Sequence, residues 1–238
     1  MHRTVAGVTS LYPLYCYSLG LKVMKFRTLK AMLAAFALLA SGSAAADFGV
    51  GVKAGTLGIG LEGRWDPPVP WFDLRVGLNQ YDYDDNGNYA GINYDATLAL
   101  ENFYLTGNIK FPVSPFRLTV GAFSNGNEMQ MVSTDPLGGA WGNAAGLQSV
   151  TSFSSTAPYA GFGFDFELFG KAGLNLDFGV LWQGDPSVTL LPTNWNSLSS
   201  GEQALLQPVI DAERAELEDE MSDLKAWPVI SLAFVYNF

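Results

Sequence analysis

The chain has 238 residues, with 13 basic and 23 acidic side chains, a formal net charge of −10, one histidine and one cysteine. The length suits one domain, and an acidic balance without a basic stripe excludes nucleic acid as a partner. The histidine and the cysteine, His2 and Cys16, both lie near the N-terminus.

From Met24 the chain reads Lys25, Arg27 and Lys30, an apolar run from Ala31 to Ala40, Ser41-Gly42-Ser43, and Ala44-Ala45-Ala46 before Asp47. A charged start, about ten apolar residues and an Ala-x-Ala site make a secretory signal peptide, too short to span a bilayer stably. Cleavage is expected between Ala46 and Asp47, with Ala44 and Ala46 as the small residues of the site. Residues 1–23 precede a second Met, add nothing that a signal needs, and read as an over-extended start. Residues 1–46 hold five basic residues and no acid, so residues 47–238 carry eight basic against 23 acidic side chains, a net of −15. They also carry no histidine and no cysteine. That excludes a Ser-His-Asp triad, an Asp-His dyad and any ordinary zinc, copper or haem site. Carboxylate-pair glycosidase chemistry stays formally open, but nothing marks a carbohydrate cleft. No enzyme and no cofactor are expected.

Past Ala46 no run approaches the roughly 20 apolar residues of a transmembrane helix, whereas alternation with a period of two recurs. Leu57, Ile59, Leu61 and Trp65 oppose Gly58, Gly60, Glu62 and Arg64; Phe72, Leu74, Val76 and Leu78 oppose Asp73, Arg75, Gly77 and Asn79. Phe116, Leu118 and Val120 oppose Arg117, Thr119 and Gly121. Phe162, Phe164, Phe166 and Leu168 oppose Gly161, Gly163, Asp165 and Glu167, and Leu174, Leu176, Phe178, Val180 and Trp182 oppose Gly173, Asn175, Asp177 and Gly179. Two stretches change phase. Phe48 to Ala54 gives way to Leu57 to Leu61 across Gly55-Thr56, which predicts a turn between two strands. Between Gly91 and Phe111 the apolar parity switches near Glu101-Asn102, which predicts a bulge if this is one strand.

The segments 66–70, 112–115 and 169–171 read as short connections, and 84–90, 126–156 and 184–226 as long ones. Trp65, Trp71, Phe72, Phe111, Phe116 and Phe169 cluster beside the short turns as one aromatic girdle, with Trp182 and Trp227 near the other. Asp82, Asp84, Asn86 and Asn88, with Gly87 between the last two, match the opening of a calcium loop, but Asn93 stands where a bidentate Glu is required. The reading is a solvated turn with a weak calcium candidate and no metal. The stretch 126–156, rich in Gly, Asn, Ser and Thr, reads as mobile surface. Between Ser200 and Lys225 one amphipathic helix is predicted, with Pro208 able to start it. Val209, Ile210, Leu217, Met221 and Leu224 form its stripe, which would pack on the rim of the sheet, opposite a dense acidic face.

The last strand puts Ile230, Leu232, Phe234, Tyr236 and Phe238 on one face and Ser231, Ala233, Val235 and Asn237 on the other. With the leader, this pattern resembles Gram-negative outer-membrane β-barrel proteins, in particular the small single-domain barrels of the outer-membrane protein A type. The resemblance runs from Met24 and covers nearly all of residues 47–238. It implies an all-β, transmembrane up-and-down antiparallel β-barrel of about eight strands with periplasmic termini. It also implies that Ile230, Leu232, Phe234, Tyr236 and Phe238 are the insertion signal read by the barrel-assembly machinery. A C-terminal peptidoglycan-binding domain, found in the best-known members, is missing, so cell-wall anchoring by that route is not expected.

Seven membrane segments are clear, and bacterial barrels have even counts. Phe48 to Ala54 is the economical eighth, with a strand hidden in 126–156 as its rival. A barrel this narrow encloses little beyond its own side chains. Its lumen is expected to hold a charge network of Glu62, Arg64, Asp73, Arg75, Lys110, Arg117, Asp165, Glu167 and Asp177, paired because lone buried charges are costly. The expected function is a non-enzymatic structural or surface-interaction role in the cell outer membrane of a Gram-negative bacterium, with a narrow charged lumen. A porin-like passive channel for ions or small solutes is the alternative. Outer-membrane lipid and lipopolysaccharide are the expected partners, and the protein is expected to be a monomer. A soluble sandwich or lipocalin-like binder would have to show Phe162, Phe164, Phe166, Phe178 and Trp182 to water.

Overall fold

The computed structural model describes residues 47–89, 92–133 and 139–238. The export signal expected at 24–46, Ala44 and Ala46 included, and the stretch 1–23 lie outside them. Eleven strands are formed among the described residues: β1 (Asp47–Gly55), β2 (Gly58–Asp66), β3 (Phe72–Tyr89), β4 (Ile92–Lys110), β5 (Phe116–Asn125), β6 (Glu128–Ser133), β7 (Leu147–Ser152), β8 (Thr156–Phe169), β9 (Ala172–Trp182), β10 (Ser187–Pro192) and β11 (Ala226–Asn237). One helix, α1 (Ser200–Glu220), precedes β11.

Eight of these strands close a ring. β1 pairs with β2, β2 with β3, β3 with β4, β4 with β5, β5 with β8, β8 with β9 and β9 with β11, all antiparallel. β11 returns to β1, from Gly49 opposite Asn237 to Gly55 opposite Ser231. The result is an up-and-down barrel without an edge, the arrangement that pairs every backbone group of a strand wall. The eighth strand is β1, reversing at Thr56-Leu57. No described helix is long and apolar enough to cross a membrane.

Polarity is inverted relative to a water-soluble sheet protein. Val52, Ile59, Leu105, Val120, Phe162, Ile230, Leu232 and Phe234 point outward and are exposed, whereas Asp73, Arg75, Asn108 and Arg117 point inward and are buried. The parities read from the alternating segments hold in the ring strands, but Leu57, expected outward with Ile59 and Leu61, lies in the turn before β2 and is buried inside. Trp65, Trp71, Phe111 and Phe169 stand exposed beside the short turns, and Trp182 stands exposed at the opposite end. Trp227 departs from its expected place: its position faces inward, and it packs against a buried cluster inside the barrel rather than joining a girdle.

The phase change in β4 is not a bulge. β3 and β4 keep one register from Phe72–Ile109 to Tyr89–Ile92, and on its other side β4 pairs with β5 over 102–110 and, in the same register across Gly126, with β6 over 94–99. On the turn side of Glu101 the outer face is apolar and exposed, as at Phe103, Leu105 and Ile109. Above it Leu98 and Leu100 on the inner face are the covered ones. The irregularity the ring does contain lies between Glu167 and Phe169.

Two of the expected long loops are built differently. Residues 84–89 are strand, because β3 and β4 project as a paired hairpin well past the end of β2. Within 126–156, Glu128–Ser133 (β6) and Leu147–Ser152 (β7) add to the upper part of β4, and β10 adds to β7, so these described segments are paired sheet rather than mobile surface. The rival eighth strand therefore exists but lies outside the ring. α1 lays Leu206, Ile210 and Leu217 against Val188 and Leu190 of β10 and Ala144, so its stripe covers this extension rather than the barrel rim. The helix also begins earlier than Pro208, which lies inside it. Ser199 is its N-cap, in a reciprocal capping box with Glu202 that satisfies the first free amides.

Hydrogen bonds from the Ser199 side chain, from Asn143 and from the Ser199 backbone hold the Glu202 carboxylate at a pKa of about 2 instead of 4.5. Since the folded value lies below the unfolded one, this cap's contribution is complete above about pH 4.5 and is lost as pH falls through about 2. Amide exchange at the start of α1 should therefore accelerate over that interval in the native chain, and Glu202→Gln should remove most of the pH dependence.

Candidate functional site

Among the described residues, charged side chains converge in the lumen, and three tiers fill it. Strand alternation places the lowest tier in the half nearest the short turns, drawn from inward positions of β1, β2, β3, β4, β5, β8 and β9. Arg75 is its hub: Nε lies 3.1 Å from Asp73 Oδ1, Nη2 2.7 Å from Asp165 Oδ2 and Nη1 3.6 Å from Glu62 Oε1. Arg117 donates from Nε to Asp165 Oδ1 at 2.9 Å and from Nη2 to Asp177, while its Nη1 reaches Asn108 and Thr119. Arg64 lies 2.6 Å from Asp66 and 3.7 Å from Asp73, and Lys110 pairs with Asp66 and lies 3.3 Å from Asp73.

The network differs from its sequence reading at three positions. Lys53 belongs to it, 3.4 Å from Glu62 and 3.3 Å from Asp177, and so does Asp66. Glu167 does not. It is exposed on the inward parity of β8 beside the bulge, lines the mouth of the lumen with Arg64, Lys110 and Asp165, and has no ion pair among the described residues. The network thus holds five cations, Lys53, Arg64, Arg75, Lys110 and Arg117, against five anions, Glu62, Asp66, Asp73, Asp165 and Asp177. It is neutral, and its charges are matched to one another rather than summed into a through-going field. Lys53 was legible as the residue opposing Val52 and Ala54; Asp66 was hidden by its place beside a proline-rich turn.

The second tier is apolar. Leu57, Tyr104, Phe123, Ala157, Tyr159, Leu181 and Val229 form one buried cluster, with Trp227 packed on it. The Tyr104 and Phe123 rings stack with centroids 4.9 Å apart, and Phe123 meets Tyr159 at 5.4 Å. Tyr104 ties the two tiers together by donating from its hydroxyl to Glu62 Oε2 at 2.8 Å, and Lys53 Nζ sits 4.9 Å from the centre of its ring. Glycine makes room for these side chains: a Cβ at Gly179 would lie 2.5–2.6 Å from Tyr159, and one at Gly163 2.7 Å from Arg117 Cζ. The aromatic members come from inward positions of different strands, so periodicity showed that they face inward but not that they meet.

A third tier of uncharged amides lies above the cluster. Asn102 donates to Asn127 at 2.8 Å, Asn127 to Gln183 at 3.1 Å, and Gln183 to the Leu224 carbonyl at 2.8 Å. The polar lumen is therefore interrupted midway by an apolar layer assembled from most of its walls.

The calcium candidate is overturned by geometry. Asp82, Asp84 and Asn86 lie on one face of extended β3, where alternate positions are about 6.8 Å apart, and Asn88 continues the same strand opposite Asn93. Oxygens so spaced cannot wrap one ion, and Asp84 instead accepts from Thr97 at 2.7 Å. Ile230, Leu232, Phe234 and Tyr236 of the expected insertion signal form the outward stripe of β11, with Phe238 exposed just beyond.

Among solved structures the chain is similar to CarO2 of Acinetobacter baumannii, at 21% identity and a TM-score of 0.55, over 82% of this chain and 100% of that one. CarO of the same organism matches at 22% identity and a TM-score of 0.52, over 80% of this chain and 97% of that one. A major outer membrane protein from Thermus thermophilus covers 82% of this chain at 17% identity and a TM-score of 0.41. At such identities the likeness to the two Acinetobacter proteins is one of fold. No protein-family model and no curated protein matches the chain.

Removing one partner of a buried ion network leaves the others uncompensated, a cost of about 3–5 kcal/mol. Asp177→Asn should accordingly lower the unfolding free energy of the folded barrel, obtained from urea titration, by about that amount. Glu167→Gln, which breaks no ion pair among the described residues, should stay within about 0.5 kcal/mol of the native chain in the same titration.

Proposed function

We propose that this protein is a non-enzymatic barrel of the Gram-negative outer membrane, with a structural or surface-interaction role and a closed lumen. The observation that carries this reading is an apolar outer wall around a polar lumen that is filled across its width by Tyr104, Phe123, Tyr159 and Leu181. A wall of this kind needs lipid around it and offers no route through it. The mass that projects from one end, the sheet of β6, β7 and β10 with α1 upon it, is the part available for surface contacts. Its helix and the turn that follows show Glu216, Asp219, Glu220 and Asp223 to solvent.

In this reading the partners are outer-membrane lipid and lipopolysaccharide, with the barrel-assembly machinery engaging the Ile230-to-Phe238 stripe during insertion, and the protein works as a monomer without cofactors. The absence of histidine and cysteine from residues 47–238 supports the lack of catalysis. A passive channel is the second reading, favoured by the mouth of about 230 Å³ lined by Arg64, Lys110, Asp165 and Glu167, which leads to the charged tier.

Cell fractionation should place the protein with outer membranes, and unheated samples should run differently from boiled ones on a gel, as closed barrels do. Recovery as a monodisperse species without detergent overturns the reading. In planar bilayers the native chain should show no steady conductance, and Tyr104→Ala combined with Tyr159→Ala should open one. Steady native conductance that changes in Arg75→Ala would favour the channel instead.

A further inference from the structure

The ring wall is uneven at one place. β1 and β2 reverse through Thr56-Leu57, with Gly58 at φ +95°, whereas β11 continues from Ser231 to Ala226 and β3 from Gln80 to Tyr89. Five residues of β11 correspond to about 16 Å of strand above the turn. The turn is pinned there: Thr56 N donates to the Ile230 carbonyl at 2.9 Å, Thr56 Oγ1 donates to the Pro228 carbonyl at 2.8 Å, and Ile230 N donates back to Oγ1 at 3.1 Å. Above this low point lies an open notch of about 300 Å³, lined by Ile59, Tyr81, Tyr83, Leu98, Leu100 and Trp227 among others.

We infer that this notch holds the end of an acyl chain from a lipid of the surrounding bilayer leaflet. The notch is continuous with the lipid-facing wall, since Ile59 belongs both to its lining and to the outward stripe of β2 with Leu61 and Trp65. It also stands at the boundary of the apolar belt. The outward stripe of β2 ends at the turn, and that of β3 passes from Leu74, Val76 and Leu78 to Gln80 and Asp82. Tyr81 and Tyr83 share the inward parity of β3, paired with Leu100 and Leu98, and their half-exposed rings line the notch itself. The chemistry of the walls selects a hydrocarbon: the Thr56 hydroxyl is already used twice, and Leu98, Leu100 and Ile59 offer nothing to water. The volume sits at the lower end for ligand pockets, which suits one chain segment rather than a whole lipid.

The inference rests on the bilayer location proposed above, and the test separates the two. In the full chain carrying Cys16→Ser, a bimane label is attached at Tyr83→Cys or, as reference, at Val120→Cys on the outer wall, and each protein is reconstituted into vesicles of phosphatidylcholine with brominated acyl chains. Quenching at position 83 should reach at least about half of that at position 120. It should fall at least about threefold when Leu98→Trp fills the notch, with position 120 unchanged. Ala54→Phe serves as the filling variant if Leu98→Trp loses heat-modifiable mobility. A label at position 83 that aqueous iodide quenches and brominated chains do not, or quenching that survives both filling variants, overturns the inference. Loss of quenching at position 120 as well overturns the bilayer location itself.

Discussion

Ring closure is the constraint from which the rest of this structure follows. A strand wall in hydrocarbon has no water to satisfy its amides, so its first and last strands must find each other. Here β1 and β11 do so over seven residue pairs, from Gly49–Asn237 to Gly55–Ser231. Once the wall is closed with eight strands, its outer face is apolar and exposed and its inner face turns to a narrow interior. Each inward side chain then has to be small or to have a partner.

That demand accounts for the lumen. Large polar groups confined in so narrow a barrel lose most of their water, and the chain offsets this by matching five cations with five anions around Arg75 and Arg117. The glycines of the same walls are the complement of this packing. They stand where the Tyr159 ring and the Arg117 guanidinium lie flat against the wall. Tyr104 joins the two kinds of interior, its ring stacked in the apolar tier and its hydroxyl bonded to Glu62 in the charged one. Strengthening one tier thus steadies the other, and the lumen behaves as a core in which polarity and apolarity are stacked rather than nested.

Outside the wall the same chain follows the rules of a water-soluble domain. The hairpin of β3 and β4 outgrows its neighbours, and its free upper edge on β4 is paired by β6, then β7 and β10. The far face is covered by the stripe of α1. On the other side of the hairpin nothing equivalent is added among the described residues, because β2 stops at Gly58. The extension and the notch are consequences of one fact, the unequal length of adjacent strands.

The sequence by itself determined the alternating strands, their inward and outward parity, the short turns and most of the charged lumen, because a side-chain period of two depends only on local backbone geometry. It also marked the helix. What it could not determine was which residues meet across the barrel: Lys53 and Asp66 in the network, the ring contacts of Tyr104, Phe123 and Tyr159, and the isolation of Glu167 all depend on how strands far apart in the chain are registered. The same limit explains the expected bulge near Glu101. A reversal of apolar parity can come from an extra residue or from a change in which face is covered, and only the tertiary structure, where β4 runs in one register past the ring into the added sheet, decides between them. Likewise Asp82 to Asn88 has the composition of a turn, but pairing with β4 pulled it straight.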